Sequence, residues 1–183
     1  MPMNLVHRKL CASNQWARKV ADTLPGWLEG LDLGDDVLEI GPGVGATTRI
    51  LVELVPKLTS IEIDEASVRG LRAELGQRVD IVHGDGTAMP FPDGRFSAVV
   101  CFTMLHHVPS ARLQEKLFVE ARRVLRPAGV FRAMDSQPSL WFRLLHIGDT
   151  MVVLDPATLP ERLTSAGFVS AQLYTERQAR LRG

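Results

Sequence analysis

Gly41, Gly43 and Gly45 stand at alternate positions directly after the apolar run Val37-Leu38-Glu39-Ile40, and Glu62 lies twenty-one residues beyond the first of them. Glycines there let the backbone approach a ligand closely, and the N–H groups at the mouth of a following helix favour a polar or anionic group. A carboxylate about twenty residues further on, at the end of the next strand, can accept the protons of both hydroxyls of a ribose. Asp85, between Gly84 and Gly86, sets a second acid beside yielding backbone, where it can accept from an amino group such as that of adenine. Taken alone, Asp85 is an ordinary Asp-Gly turn residue. His106 and His107 are adjacent, and a histidine near neutrality can take a proton from an incoming nucleophile. The other reading of the pair is a structural one, capping the loop before Pro109. Of the two, His107 stands nearer the following loop. His7, His83 and His146 read as surface or packing residues.

The elements that must position these residues follow from periodicity. Asp36 to Ile40 is a buried strand, and Ala46 to Val55 has apolar residues at helical spacing. Leu58 to Ile63 and Val79 to His83 are further short apolar runs, separated by a helix from Glu65 to Leu75 with Val68, Leu71 and Leu75 as its buried stripe. Phe96 to Phe102 is nearly all apolar, as a central parallel strand would be. Ser110 can cap a helix that runs to Pro127, and Gly129 to Met134 makes the next strand. Before the first strand, Ser13 to Leu24 reads as an amphipathic helix stopped by Pro25-Gly26. Thr158-Leu159-Pro160-Glu161 fits a capping box for a late helix to Ala166, and Phe168 to Tyr174 with Gln178 to Arg182 reads as a closing hairpin. Alternating strands and helices of this length give an α/β, doubly wound, Rossmann-like fold. The division expected is a helical cap over 1–35, a ligand-binding core over 36–135, and a lid with a closing helix and hairpin over 136–183.

On these motifs the chain resembles the class I S-adenosylmethionine-dependent methyltransferases, in particular the small single-domain group that acts on varied small molecules. The resemblance covers about Asp36 to Phe168. Besides the glycine turn it rests on Ile61-Glu62-Ile63-Asp64, Gly84-Asp85-Gly86-Thr87-Ala88-Met89-Pro90-Phe91-Pro92-Asp93, Leu105-His106-His107-Val108 and Val124-Leu125-Arg126-Pro127-Ala128-Gly129. It implies a mostly parallel seven-stranded sheet of order 3-2-1-4-5-7-6, with only the last strand antiparallel. It also implies that S-adenosyl-L-methionine packs its methionine end on Gly41, Gly43 and Gly45, with Glu39 near the amino group. Glu62 then holds the ribose hydroxyls, Asp85 and the Gly86 amide address adenine, and Ile63 and Thr103 complete the contacts. Ser97 stands where an Asp often opens the fourth strand, and Ala128 replaces one glycine of the usual turn before the fifth. The spacing departs from a dinucleotide fingerprint because Ala46 stands where the third glycine would be, and no phosphate loop for nucleoside triphosphates is present.

Methyl transfer from a sulfonium needs chiefly an aimed nucleophile, so the absence of a catalytic triad does not weigh against it. The stretch from Ser136 to Leu154, with Trp141, Phe142, Leu144, Leu145, Met151, Val152 and Val153, suggests a small acceptor that is apolar or aromatic. The fourth strand ends Cys101-Phe102-Thr103-Met104, without the Asn/Asp-Pro-Pro-Tyr/Phe pattern that grips an exocyclic base amine. The 21 basic and 21 acidic residues cancel, so the long-range field offers no general attraction to nucleic acid or to an anionic membrane. Arg122, Arg123 and Arg126, and likewise Arg177, Arg180 and Arg182, read as solvated faces. Cys11 and Cys101 form neither a disulfide framework nor a metal-ligand spacing, so no metal is expected, and the compartment expected is a reducing, cytoplasmic one. Two other functions remain open: a module that binds S-adenosylmethionine without catalysis, and an RNA methyltransferase, whose affinity would fall steeply with salt.

Overall fold

Strand β1 (Val37–Ile40) is buried at every residue, as only a strand covered on both faces can be. It pairs in parallel with β2 (Leu58–Glu62) on one side and β4 (Phe96–Phe102) on the other, while β3 (Val79–His83) and β5 (Leu125–Met134) flank these. This computed structural model describes residues 9–136, 140, 144 and 146–173, and within them the sheet has the order β3-β2-β1-β4-β5. The strand order reverses between β1 and β4, and doubly wound sheets take their ligands beyond the carboxyl ends of the strands at such a point.

Helices cover both faces. Helix α1 (Asn14–Leu28), α2 (Thr48–Leu54) and α3 (Glu65–Leu75) pack through Leu24, Leu28, Leu51, Val68 and Leu71 against Val37, Leu58, Val100 and Phe102. On the other face α4 (Ala111–Val124) packs Leu117, Phe118 and Ala121 against Leu38, Ile40, Val99 and Cys101, and α5 (Leu159–Ser165) adds Leu159 and Leu163. The strand alternation assigns the two faces: in β4 residues 98, 100 and 102 look one way, and 99 and 101 the other. Ser13, Asp64 and Ser110 cap α1, α3 and α4 through their side chains.

Four expectations are corrected. The sheet has five strands among the described residues, all parallel, rather than seven with an antiparallel last strand. Phe168 stacks on Phe131 of β5 at 5.3 Å between ring centroids, but Val169 is fully exposed and the chain to Leu173 forms no strand. The rest of the expected hairpin, Gln178 to Arg182, lies outside the described residues. Helix α1 runs through Pro25 to Leu28, because Val20, Leu24 and Leu28 form one buried stripe whose burial offsets the missing Pro N–H. Thr158 makes no side-chain cap; Asp155 instead accepts from the amides of Ala157, Thr158 and Leu159 and turns the chain into α5. Finally, Arg123 and Arg126 do not form a solvated face. Arg123 donates to Glu120, Asp93 and the carbonyls of Met89 and Phe91, and Arg126 to Asp35 and the carbonyl of Arg95.

The two departures from the family pattern have separate accounts. The Ser97 hydroxyl accepts from the Asp36 amide at 3.0 Å and reaches the carbonyls of Leu33 and Asp36, so it braces the approach to β1. Ala128 carries the cost of its missing glycine, with φ of +61° at an exposed position. Left-handed backbone costs an L-residue about 1–2 kcal/mol, against which glycine's greater freedom when unfolded offsets about 0.4–1 kcal/mol. Ala128→Gly is therefore expected to stabilise the fold by about 0.5–1 kcal/mol, as measured by urea unfolding.

Candidate functional site

The glycine turn, Glu62 and Asp85 meet at one edge of the sheet. The Gly41 amide continues the ladder to the carbonyl of Ile61 at 2.9 Å, and the Gly43 amide donates to Glu62 Oε2 at 2.8 Å. Gly41, Gly43 and Gly45 all have positive φ, at +68°, +56° and +84°. At Gly41 a side chain is excluded by space as well, since a Cβ there would lie 2.8 Å from Met104 Cγ. The turn therefore takes a path that side chains would obstruct.

Glu62 is 7% exposed, and its second oxygen, Oε1, accepts from the Asp64 amide at 2.8 Å. Each oxygen keeps a further lone pair, so the carboxylate is fixed in place and can still accept two hydroxyl protons. Ile63 follows it with 57% of its surface exposed. Glu62 pairs with His83 in the parallel ladder, which brings Asp85 to the neighbouring strand end. Asp85 Oδ1 accepts from the Thr87 amide at 2.8 Å in an Asx turn, and Oδ2 has no hydrogen bond among the described residues. A Cβ on Gly86 would lie 3.0 Å from Ile40 Cγ2, so this backbone too is held close to the core. Thr103, at the end of β4, has φ of +51° while its amide donates to the carbonyl of Met134 at 2.7 Å.

Glu39, in β1, lies behind the glycine turn. It is 1% exposed, and its carboxylate accepts the hydroxyls of Thr47, of Thr48 at 2.7 Å and of Ser60 at 2.8 Å. It therefore fixes the glycine turn from behind, tying it to α2 and β2. Burial pushes its carboxyl above the usual carboxylate range, with the Glu62 charge in the same sense, while the three hydroxyls work against the shift. Since the folded state holds the proton more tightly, the stabilising contribution is complete below the unfolded value of about 4.3 and is lost as pH rises through the higher folded value. The stability of the wild type relative to Glu39→Gln is accordingly expected to fall as pH rises above about 4.3. Urea unfolding of both proteins across the acid-to-neutral range measures it, and a constant difference would refute it.

His106 and His107 form a single 3-10 turn, Leu105–His107, immediately after β4. Asp135, just after β5, grips His106 twice: its Oδ2 accepts from the backbone amide at 2.9 Å and its Oδ1 meets ring Nδ1 at 2.5 Å. A carboxylate only accepts, so Nδ1 carries the proton in this contact. The segment after β5 returns to this turn. The Val152 amide donates to the His106 carbonyl at 2.7 Å, and Gln114 Nε2 on α4 donates to the carbonyls of Leu105 at 3.0 Å and Val152 at 2.7 Å. His146, read from sequence as a surface or packing residue, is 4% exposed and sets its Nε2 3.1 Å from that of His106. Neither Asp135 nor Gln114 was signalled by any motif, since both act through residues far away in the chain. Of the expected lid residues, Leu144 is exposed, Met151, Val152 and Val153 are half-buried, and Trp141, Phe142 and Leu145 lie outside the described residues. Among the described residues no helix is long and apolar enough to cross a membrane.

Comparison with known proteins identifies the family. A family described as a methyltransferase domain matches residues 38–133. A protein of Mycolicibacterium smegmatis, named a "probable S-adenosylmethionine-dependent methyltransferase", is 38% identical over 74% of this chain and 52% of its own length. The 27-O-demethylrifamycin SV methyltransferase of Amycolatopsis mediterranei is 29% identical over 90% of this chain and 58% of its own. The chain thus spans little more than half the length of these curated relatives. The fold is similar to that of CalS10, an amino pentose methyltransferase from Micromonospora echinaspora solved with S-adenosylmethionine bound, at a TM-score of 0.54 and 22% identity over 67% of this chain and 50% of that one.

Proposed function

Since the chain belongs to the class I S-adenosylmethionine-dependent methyltransferases, we propose that it transfers the methyl group of S-adenosylmethionine to a small-molecule acceptor, chiefly by holding the two reactants in line. The observation that carries this reading is the hydrogen bond from the Gly43 amide to Glu62, which fixes the glycine turn and the ribose-binding acid in one crevice, with Asp85 at the adjoining strand end. The donor and acceptor set fits the group, because Glu62 retains lone pairs for two hydroxyls and Asp85 Oδ2 for an amino group. When bound, S-adenosylmethionine supplies an electrophilic methyl on a sulfonium, which needs no protonation to leave as a neutral thioether.

In this reading Glu62 orients the ribose, Asp85 and the Gly86 amide select adenine, and Ile63 covers the adenine face. The turn at Gly41, Gly43 and Gly45 takes the methionine end, with Glu39 as a positioning residue behind it and Thr103 at the crevice wall. Positioning of this kind is worth about 7–11 kcal/mol in well-oriented systems. His106 and His107 stand at the acceptor end and serve acceptors that arrive protonated, which must lose that proton before attack. The half-buried stretch Met151-Val152-Val153 favours an acceptor with an apolar face.

Isothermal titration with S-adenosylmethionine and with its demethylated product, joined to a methyl-release assay over a panel of phenols, sterols and amines, tests the proposal. Binding of both with release to at least one small acceptor is expected. Failure of the folded protein to bind either would overturn it, binding without release would leave a binding module, and salt-dependent release to RNA would move the acceptor to nucleic acid.

A further inference from the structure

We propose that His106, His107 and His146 form a binding site for one divalent metal ion of the zinc class. The three imidazoles come from two segments, the turn after β4 and the strap after β5, and each offers a ring nitrogen within 4.8 Å of the other two. His106 Nε2 and His146 Nε2 share a hydrogen bond at 3.1 Å. Tetrahedral zinc with bonds of about 2.0–2.1 Å sets its nitrogen ligands about 3.3–3.4 Å from one another, so this pair already stands near ligand spacing. The ring centroid of His107 lies 4.1 Å from that of His106 and 5.3 Å from that of His146.

Asp135 supplies the second observation. Its carboxylate holds the proton on His106 Nδ1 and thereby turns Nε2 toward His146. A carboxylate on the far nitrogen of a ligating histidine is the arrangement that orients metal-bound imidazoles and makes them more basic. His106 and His146 are 2% and 4% exposed, so the ion would be held between largely dry side chains, with half-buried His107 on the open side. Three imidazole donors without a thiolate suit zinc, cobalt, nickel or copper rather than magnesium or calcium. Three protein ligands also leave a fourth position, which in zinc sites of this composition takes water or a substrate oxygen. The site deepens the reading of the crevice as a methyl-transfer site, since an acceptor hydroxyl on that position would lose its proton to solvent near neutral pH.

The test uses untagged protein freed of metal by a chelator and then dialysed. Titration with Co²⁺ is expected to give one ion per chain, with the intense visible absorption of four-coordinate cobalt, and Zn²⁺ is expected to displace it. His146→Ala and His107→Ala should each weaken Co²⁺ binding at least about 100-fold, and Asp135→Asn about 10- to 100-fold. His107 is half-buried, so its variant keeps the test open if His146→Ala fails to fold. Substoichiometric uptake by the wild type, or uptake unchanged in the folded histidine variants, overturns the site. S-adenosylmethionine affinity is measured on the same samples: metal binding without it would sink only the methyl-transfer reading, and the reverse would sink only the metal site.

Discussion

Gln114→Ala is expected to lower the unfolding free energy by about 2–4 kcal/mol and to raise KM for the acceptor while leaving affinity for S-adenosylmethionine unchanged. Gln114 is fully buried on α4, donates to the carbonyls of Leu105 and Val152, and accepts from Arg162 Nη2 at 3.0 Å. Its removal leaves the half-buried Val152 carbonyl without that donor, at about 1–3 kcal/mol, and opens a cavity beside Leu117. The Leu105 carbonyl loses less, because the Val108 amide also reaches it at 3.1 Å. The functional split follows from position. Gln114 ties the strap after β5 to the histidine turn, and none of its partners belongs to the glycine turn, Glu62 or Asp85. Chemical unfolding gives the first number, and titration beside acceptor kinetics gives the second. An equal loss of both affinities would mean that the side chain supports the whole crevice instead.

Glu62→Ala is expected to weaken S-adenosylmethionine binding by about 1.5–3 kcal/mol, roughly ten- to 150-fold in Kd. The variant loses a carboxylate that can accept two ribose hydroxyls, and it releases the amides of Gly43 and Asp64 that this group now fixes. Glu62→Gln keeps an acceptor oxygen for one amide, so its loss should be smaller. Unchanged affinity in a folded alanine variant would remove Glu62 from the ligand.

The parts of the site that could be read from the sequence are those whose geometry is fixed by short-range chain repeats. A glycine turn after one strand and an acid at the end of the next are brought together by one strand–helix–strand unit and Asp85 by the next, so Gly41 to Gly45, Glu62 and Asp85 are positioned by spacing alone. His146 and Asp135 are not. His146 meets His106 only because the strap folds back forty residues later, and no periodicity in either segment records that return. Glu39 could be placed at its strand end, but its orientation is set by the hydroxyls of Thr47, Thr48 and Ser60, which no spacing signals. Pro25 and Thr158 show the same limit for local signals. One punctuates nothing because tertiary burial outweighs it, and the other fits a motif that Asp155 pre-empts.

The sheet keeps its two sets of helices apart, and this bears on how such a molecule can change. The Glu39 cage and Glu62 draw support from the α1–α3 face, whereas the histidine turn, Gln114 and Leu154 rest on the α4–α5 face. Remodelling of the α4–α5 half would therefore leave the Glu39 cage and Glu62 in place, and would reach the rest of the crevice first through Gly86, which lies against Ile40 and Leu117.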